Sequence, residues 1–106
     1  MRLFLPLLLA VFSPAALAEV PTHRLVIRDH RFVPAELVVP AHKKIKLVVV
    51  NEDPTPEEFE SHELNREKIV TGNGKITVFI GPLKPGRYPF FGEFHQKTAQ
   101  GVVVAK

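Results

Sequence analysis

Two short stretches hold most of this chain's capacity for chemistry. The first reads Glu57-Glu58-Phe59-Glu60-Ser61-His62 and the second Glu93-Phe94-His95. In extended chain, successive side chains point to opposite faces, so Glu58, Glu60 and His62 share one face and Phe59 takes the other. By the same rule Glu93 and His95 share a face, with Phe94 turned into the core beside Phe90. If the two stretches meet at one end of the fold, carboxylates and imidazoles converge there. The chain has no cysteine, and its one methionine is the initiator. Oxygen and nitrogen donors without sulfur suit Cu(II), Fe(II) or Fe(III) and disfavour Cu(I). Hard ligands of this kind also favour ferric over ferrous iron. The expected metal ligands are therefore Glu58, Glu60, His62, Glu93 and His95, holding a copper or iron ion at about 2.0–2.2 Å.

Plainer readings stand beside each of these. Acidic residues on a strand are ordinarily a solvated face, and His95 beside Phe94 can simply cap a loop. Arg66 and Glu67 read as a structural ion pair or loop brace. His23, His30 and His42 read as turn or surface histidines, and His23 does not sit at the third position of an amino-terminal copper motif. Ser61 lacks the glycine elbow of a nucleophilic serine. No glycine loop is shaped to cradle phosphate, and no basic stripe carries interleaved aromatics. The formal charge of +3 is weak and its acidic and basic residues interleave, so no nucleic-acid partner is expected.

The elements that would position these residues follow a leader. Arg2, the apolar run 3–12 and Ala16-Leu17-Ala18 make residues 1–18 read as a secretory signal peptide. The apolar run is shorter than the roughly 20 residues of a spanning helix, and no cysteine follows it to take a lipid. An exported protein located in the periplasm is expected, with residues 19–106 forming one domain. Small exported domains often lean on disulfides; here the core alone must hold the fold. Residues 23–28 alternate with Leu25 and Ile27 on one face. In 43–51, Ile45, Leu47 and Val49 point inward while Lys44 and Lys46 meet water. Pro54 and Pro56 mark a loop. The stretch 57–67 reads either as a bent strand or as a short helix over 61–68. Strands follow at 75–80, 87–92 and 101–105, and Pro89 suggests an edge position or a bulge. Phe32, Phe59, Phe79, Tyr88, Phe90 and Phe94 are expected in the core and Phe91 outside it. About seven strands at this spacing predict an all-β antiparallel sandwich.

Three phrases then combine: Phe32-Val33-Pro34-Ala35-Glu36-Leu37-Val38-Val39-Pro40; Pro56-Glu57-Glu58-Phe59-Glu60-Ser61 with Arg66-Glu67-Lys68; and Gly81-Pro82-Leu83-Lys84-Pro85-Gly86-Arg87-Tyr88 through His95 to Gly101. Together they resemble the cupredoxin-like domains of periplasmic iron-uptake systems, of the EfeO type and of the FtrB-like cupredoxins that accompany ferrous-iron permeases. The resemblance implies a Greek-key β-sandwich with a metal site at one pole. In copper members one histidine follows the asparagine-bearing strand, and cysteine, histidine and methionine come from the last loop. On this chain the cysteine position falls at Gly92, the late histidine at His95, the axial position near Ala99 or Gln100, and the early histidine within residues 58–62. Gly92 removes the thiolate, so a blue-copper centre of two histidines and a cysteine is excluded. The implied function is binding of copper or iron in support of ferrous-iron uptake, with oxidation of Fe(II) as its chemistry and a membrane iron permease or other periplasmic component as partner. A copper-buffering chaperone and a metal-free protein-interaction module are the alternatives.

Overall fold

Period-two burial organises the strands. β1 (Thr22–Arg28) buries Leu25 and Ile27, and the strand Ile45–Asn51 buries Ile45, Leu47, Val49 and Asn51. The computed structural model describes residues 20–106; the leader assigned to 1–18 lies outside them. In chain order the remaining strands are β2 (Arg31–Val33), β3 (Glu36–Val39), β4 (the Ile45–Asn51 strand), β5 (Glu57–Ser61), β6 (Arg66–Val70), β7 (Lys75–Ile80), β8 (Gly86–Gly92) and β9 (Gln100–Ala105). One turn of 3-10 helix, Glu93–His95, joins β8 to β9.

The strands form two facing sheets, ordered β2-β1-β4-β7 and β3-β9-β8-β5-β6. This is the expected all-β sandwich, with one refinement. β1 pairs with β4 and β3 with β9 in parallel, so both sheets are mixed. The chain leaves the first sheet after β2 to form β3 in the second and returns at β4. β4 therefore reaches β1 by a crossover, which a hairpin cannot supply. Between the sheets the rings of Phe32 and Phe90 meet edge to face at 4.9 Å, as do Phe32 and Phe59 at 6.1 Å. Full burial of each such side chain contributes about 1.5–3 kcal/mol.

The stretch 57–67 resolves as a hairpin of β5 and β6, with no helix at 61–68. Asn65, at φ 53°, turns the chain, while the Ser61 hydroxyl accepts from the Leu64 amide and donates to the Pro89 carbonyl at 2.6 Å. Pro89 lies in a central strand, contrary to expectation. It is tolerated because β5 pairs with β8 only at Phe59–Gly92 and Glu60–Phe91, leaving Pro89 unpaired on that side. Arg66 is a brace of another kind than an ion pair with Glu67. Its Nε donates to the Phe79 carbonyl across the sandwich edge. Phe79 and Phe94 are exposed rather than buried, and Tyr88 is half-buried with its hydroxyl on the Lys84 carbonyl.

Candidate metal centre

The site begins with the alternation of β5. Glu57, Phe59 and Ser61 face inward while Glu58 and Glu60 face out. Glu58 and Glu60 thus share a face, as their spacing predicts, and Glu57 is carried to the buried face with Phe59. Glu57 is 1% exposed. Oε1 accepts from the backbone amides of Glu58 (3.0 Å) and Phe94 (2.8 Å), and Oε2 lies 2.5 Å from His95 Nδ1. Burying an ionised carboxylate is costly unless it is paired and hydrogen-bonded, and here each oxygen has a partner.

His95 reaches Glu57 because the β8–β9 connection coils. Residues 93–95 form a 3-10 turn, in which the shared face of an extended chain is lost. Glu93 and His95 part company, and Phe94 stands exposed instead of turning inward. The His95 carbonyl accepts from the amides of Thr98 and Ala99, which closes the loop.

A second imidazole comes from the turn between β1 and β2. Asp29 and His30 both have left-handed backbone conformations, at φ 51° and 55°. Such a pair is disfavoured for residues with a Cβ, though Asp and His are among those that tolerate it. The Asp53 carboxylate holds the turn in place by accepting from the Asp29 amide (2.8 Å) and the His30 amide (2.9 Å), with His30 Nδ1 at 3.5 Å. Asn51 anchors Asp53 in turn, its Oδ1 accepting from the Asp53 amide. Burial by itself would raise the Asp53 carboxyl. The amides of His30 and Asp29, with the nearby charges of His30 and His95, outweigh it and leave the carboxyl below its ordinary value. Held this way, the His30 ring stacks on that of His95, with centroids 3.6 Å apart and planes 14° from parallel.

His30, Glu57 and His95 each present a donor atom within 4.8 Å of the others. Two metal bonds of about 2.1 Å at a tetrahedral angle hold their donors roughly 3.4 Å apart, so the trio is near the spacing of one ion. The two stacked rings must turn out of parallel for both nitrogens to face it. Two imidazoles and a carboxylate without sulfur fit divalent copper better than Cu(I). Sequence reasoning missed two of these three. The adjacent Asp-His in a tight turn was the available local signal for His30, and strict alternation from Phe59 was the signal for Glu57.

The other expected ligands assemble next door. Glu58, Glu60 and Glu93 bring carboxylate oxygens within 4.8 Å of one another. The Glu60 carboxyl is pushed above its ordinary value, first by partial desolvation, then by its hydrogen bond to Glu93 and the charges of Glu93, Glu67 and Glu58. His62 sits in the β5–β6 turn with its ring 5.6 Å from that of Phe91 and joins neither group. The five residues picked from sequence therefore divide: three in the acidic group, His95 in the inner centre, and His62 apart.

With this geometry in place, comparison with known proteins is direct. The profile of the cupredoxin-like domain matches residues 1–105. The chain belongs to that family. It is 52% identical over 81 residues to an uncharacterized protein of Rickettsia prowazekii (strain Madrid E), covering 76% of this chain and 65% of that one. Among solved structures, auracyanin A, a "blue" copper protein of Chloroflexus aurantiacus, superposes with a TM-score of 0.70 at 15% identity, covering 80% of this chain and 98% of that one. Amicyanin from Paracoccus versutus gives 0.63 at 16% identity, covering 84% and 83%. The metal-binding domain of the Cu(I)-exporting ATPase CopA of Streptococcus pneumoniae D39 gives 0.67 at 15% identity, covering 80% and 84%. At such identities the likeness establishes the cupredoxin fold.

Proposed function

We propose that this protein is an exported, periplasmic metal-binding cupredoxin that holds copper in its divalent state at His30, Glu57 and His95. The observation that carries this reading is the buried Glu57 carboxylate facing two stacked imidazoles in a chain without cysteine. When bound, copper supplies a Lewis-acidic, one-electron centre. The protein's own part is to present the donors: Asp53 fixes the His30 turn, the Glu58 and Phe94 amides orient Glu57, and the 3-10 turn delivers His95. Calorimetric titration of purified protein with Cu(II) tests it. Binding with one equivalent is expected, and it should be lost in His95→Ala and strongly weakened in His30→Ala. Equal binding by all three proteins would remove the reading.

A second element follows from the acidic group. Glu58, Glu60 and Glu93 form an all-oxygen cluster beside the proposed ligand Glu57, with Glu58 the next residue along β5. Hard oxygen donors favour a hard cation, which among the iron states is Fe(III) over Fe(II). In this reading the protein serves ferrous-iron uptake beside a membrane iron permease, as the EfeO-type and FtrB-like resemblance implies. Four Fe(II) ions, each taken as substrate by the carboxylates, would give one electron apiece to dioxygen, which with four protons leaves as two waters while the iron remains as Fe(III). Oxygen consumption by copper-loaded protein supplied with Fe(II) separates this role from copper buffering. Consumption abolished by Glu58→Ala/Glu60→Ala favours iron oxidation. No consumption at all favours a buffering chaperone.

A further inference from the structure

Gly92 ends β8 directly behind the Glu57 carboxylate. Its backbone lies at φ −97° and ψ 113°, an extended conformation open to any residue, so the glycine is not there to relieve the backbone. The reason lies in space. A Cβ at this position would stand 2.6 Å from Glu57 Cδ, 2.8 Å from Glu57 Oε1 and 2.7 Å from the Ala99 Cβ. Glu57 cannot easily retreat, because its carboxylate is buried and held by two amides and the His95 imidazole. A side chain at position 92 and a carboxylate at its present place are therefore mutually exclusive. Gly101 makes a useful contrast. A Cβ there would meet the Phe90 ring at 2.4 Å, which is a packing constraint with no donor atom involved.

We propose that Gly92 and Glu57 together determine the metal specificity of the centre: the missing side chain at 92 admits the carboxylate that faces the two imidazoles. The proposal rests on the copper-centre reading above. Oxygen in this place commits the centre to the divalent, borderline-hard ion. A side chain projecting from position 92 would fill the same volume, so the donor presented to the metal is chosen by the pair and not by either residue alone. Gly92 acts here as a positioning residue, since it touches no metal itself.

Two variants test this in the full chain as exported. Gly92→Ala alone also crowds Ala99, so Ala99→Gly is added to leave only the conflict with Glu57. Gly92→Ala/Ala99→Gly should keep the wild-type far-ultraviolet spectrum and bind Cu(II), measured against a competing chelator, about 10–100-fold more weakly. Affinity within twofold of wild type would overturn the proposal. In Glu57→Ala/Gly92→Cys, a thiolate enters the vacated volume. An intense thiolate-to-Cu(II) charge-transfer absorption should appear, and the preference for Cu(I) over Cu(II) should rise relative to Glu57→Ala. Absence of both changes in a folded variant would also overturn it. If instead wild type binds Cu(II) no better than His95→Ala, the copper centre itself is wrong and the specificity pair falls with it, a result distinct from the first two.

Discussion

The inner centre and the acidic group are built from neighbouring residues and differ in almost every physical respect. Glu57 is buried, its two oxygens occupied by amides and an imidazole. Glu58, the next residue, faces out toward Glu60 and Glu93, where carboxylates confront one another and raise the Glu60 carboxyl. In the first group polar partners orient a donor; in the second, like charges oppose one another. In the proposed reading the inner trio is the stronger cation site, because amides hold the Glu57 carboxylate and Asp53 holds the His30 turn. The outer trio sets a Glu60–Glu93 hydrogen bond against the mutual repulsion of its carboxylates.

The largest expected effect breaks the inner side of this comparison. Glu57→Ala removes a buried partner of His95 and strands two amides, and should cost about 3 kcal/mol of stability in urea unfolding. Glu57→Gln, which keeps the amide acceptor, should cost less. If Glu57→Ala unfolds at the wild-type midpoint, the carboxylate is not integrated as described.

Next comes Asp53. Its carboxyl lies below the ordinary value of 3.8, so the folded state binds that proton more weakly than the unfolded state. The stability it contributes is present in full above that ordinary value and is lost as pH falls through the lower folded value. Asp53→Asn should flatten the acid limb of a stability-against-pH curve below about pH 4, and should weaken Cu(II) binding by loosening the His30 turn. An unchanged limb would detach Asp53 from that turn.

The outer group should respond with the opposite sign. The raised Glu60 carboxyl means that the folded state holds its proton more tightly, so stability declines as pH climbs above 4.5 through the raised value. Glu60→Gln should remove that decline and slightly raise the thermal midpoint at neutral pH, while weakening Fe(III) binding. A lowered midpoint would show that the cluster is not repulsive. The smallest effect is expected at His62, which joins neither group: His62→Ala should leave Cu(II) affinity within about twofold, on the scale of a surface substitution.

Much of the fold was legible. Ile45, Leu47 and Val49 alternate with Lys46 and Val48, and this local pattern reports which face is buried wherever the strand lies. The parallel pairing of β1 with β4 was not legible, because it depends on where the chain crosses between sheets. The same division runs through the site. The alternation about Phe59 placed Glu58 and Glu60 on the outer face correctly. His95 was found, but its partner was not, since extended-chain alternation was applied to Glu93, Phe94 and His95 where the connection between the strands coils into a 3-10 turn. One turn of 3-10 helix there separates Glu93 from His95 and turns Phe94 outward. His30 was read as a turn or surface histidine, and it does lie in a turn. Its place beside His95 was not legible, because that turn is held by Asp53, 23 residues away.

By itself the sequence determined which side-chain donors are available, oxygen and nitrogen without thiolate, and the sandwich frame, because composition and period-two burial are local properties of the chain. Only the tertiary structure decided which donors meet. It carried Glu57 inward, brought the β1–β2 turn over the β8–β9 loop, and set Gly92 against the carboxylate, since contacts between residues so far apart in the chain depend on the packing of two sheets and leave no period in the sequence.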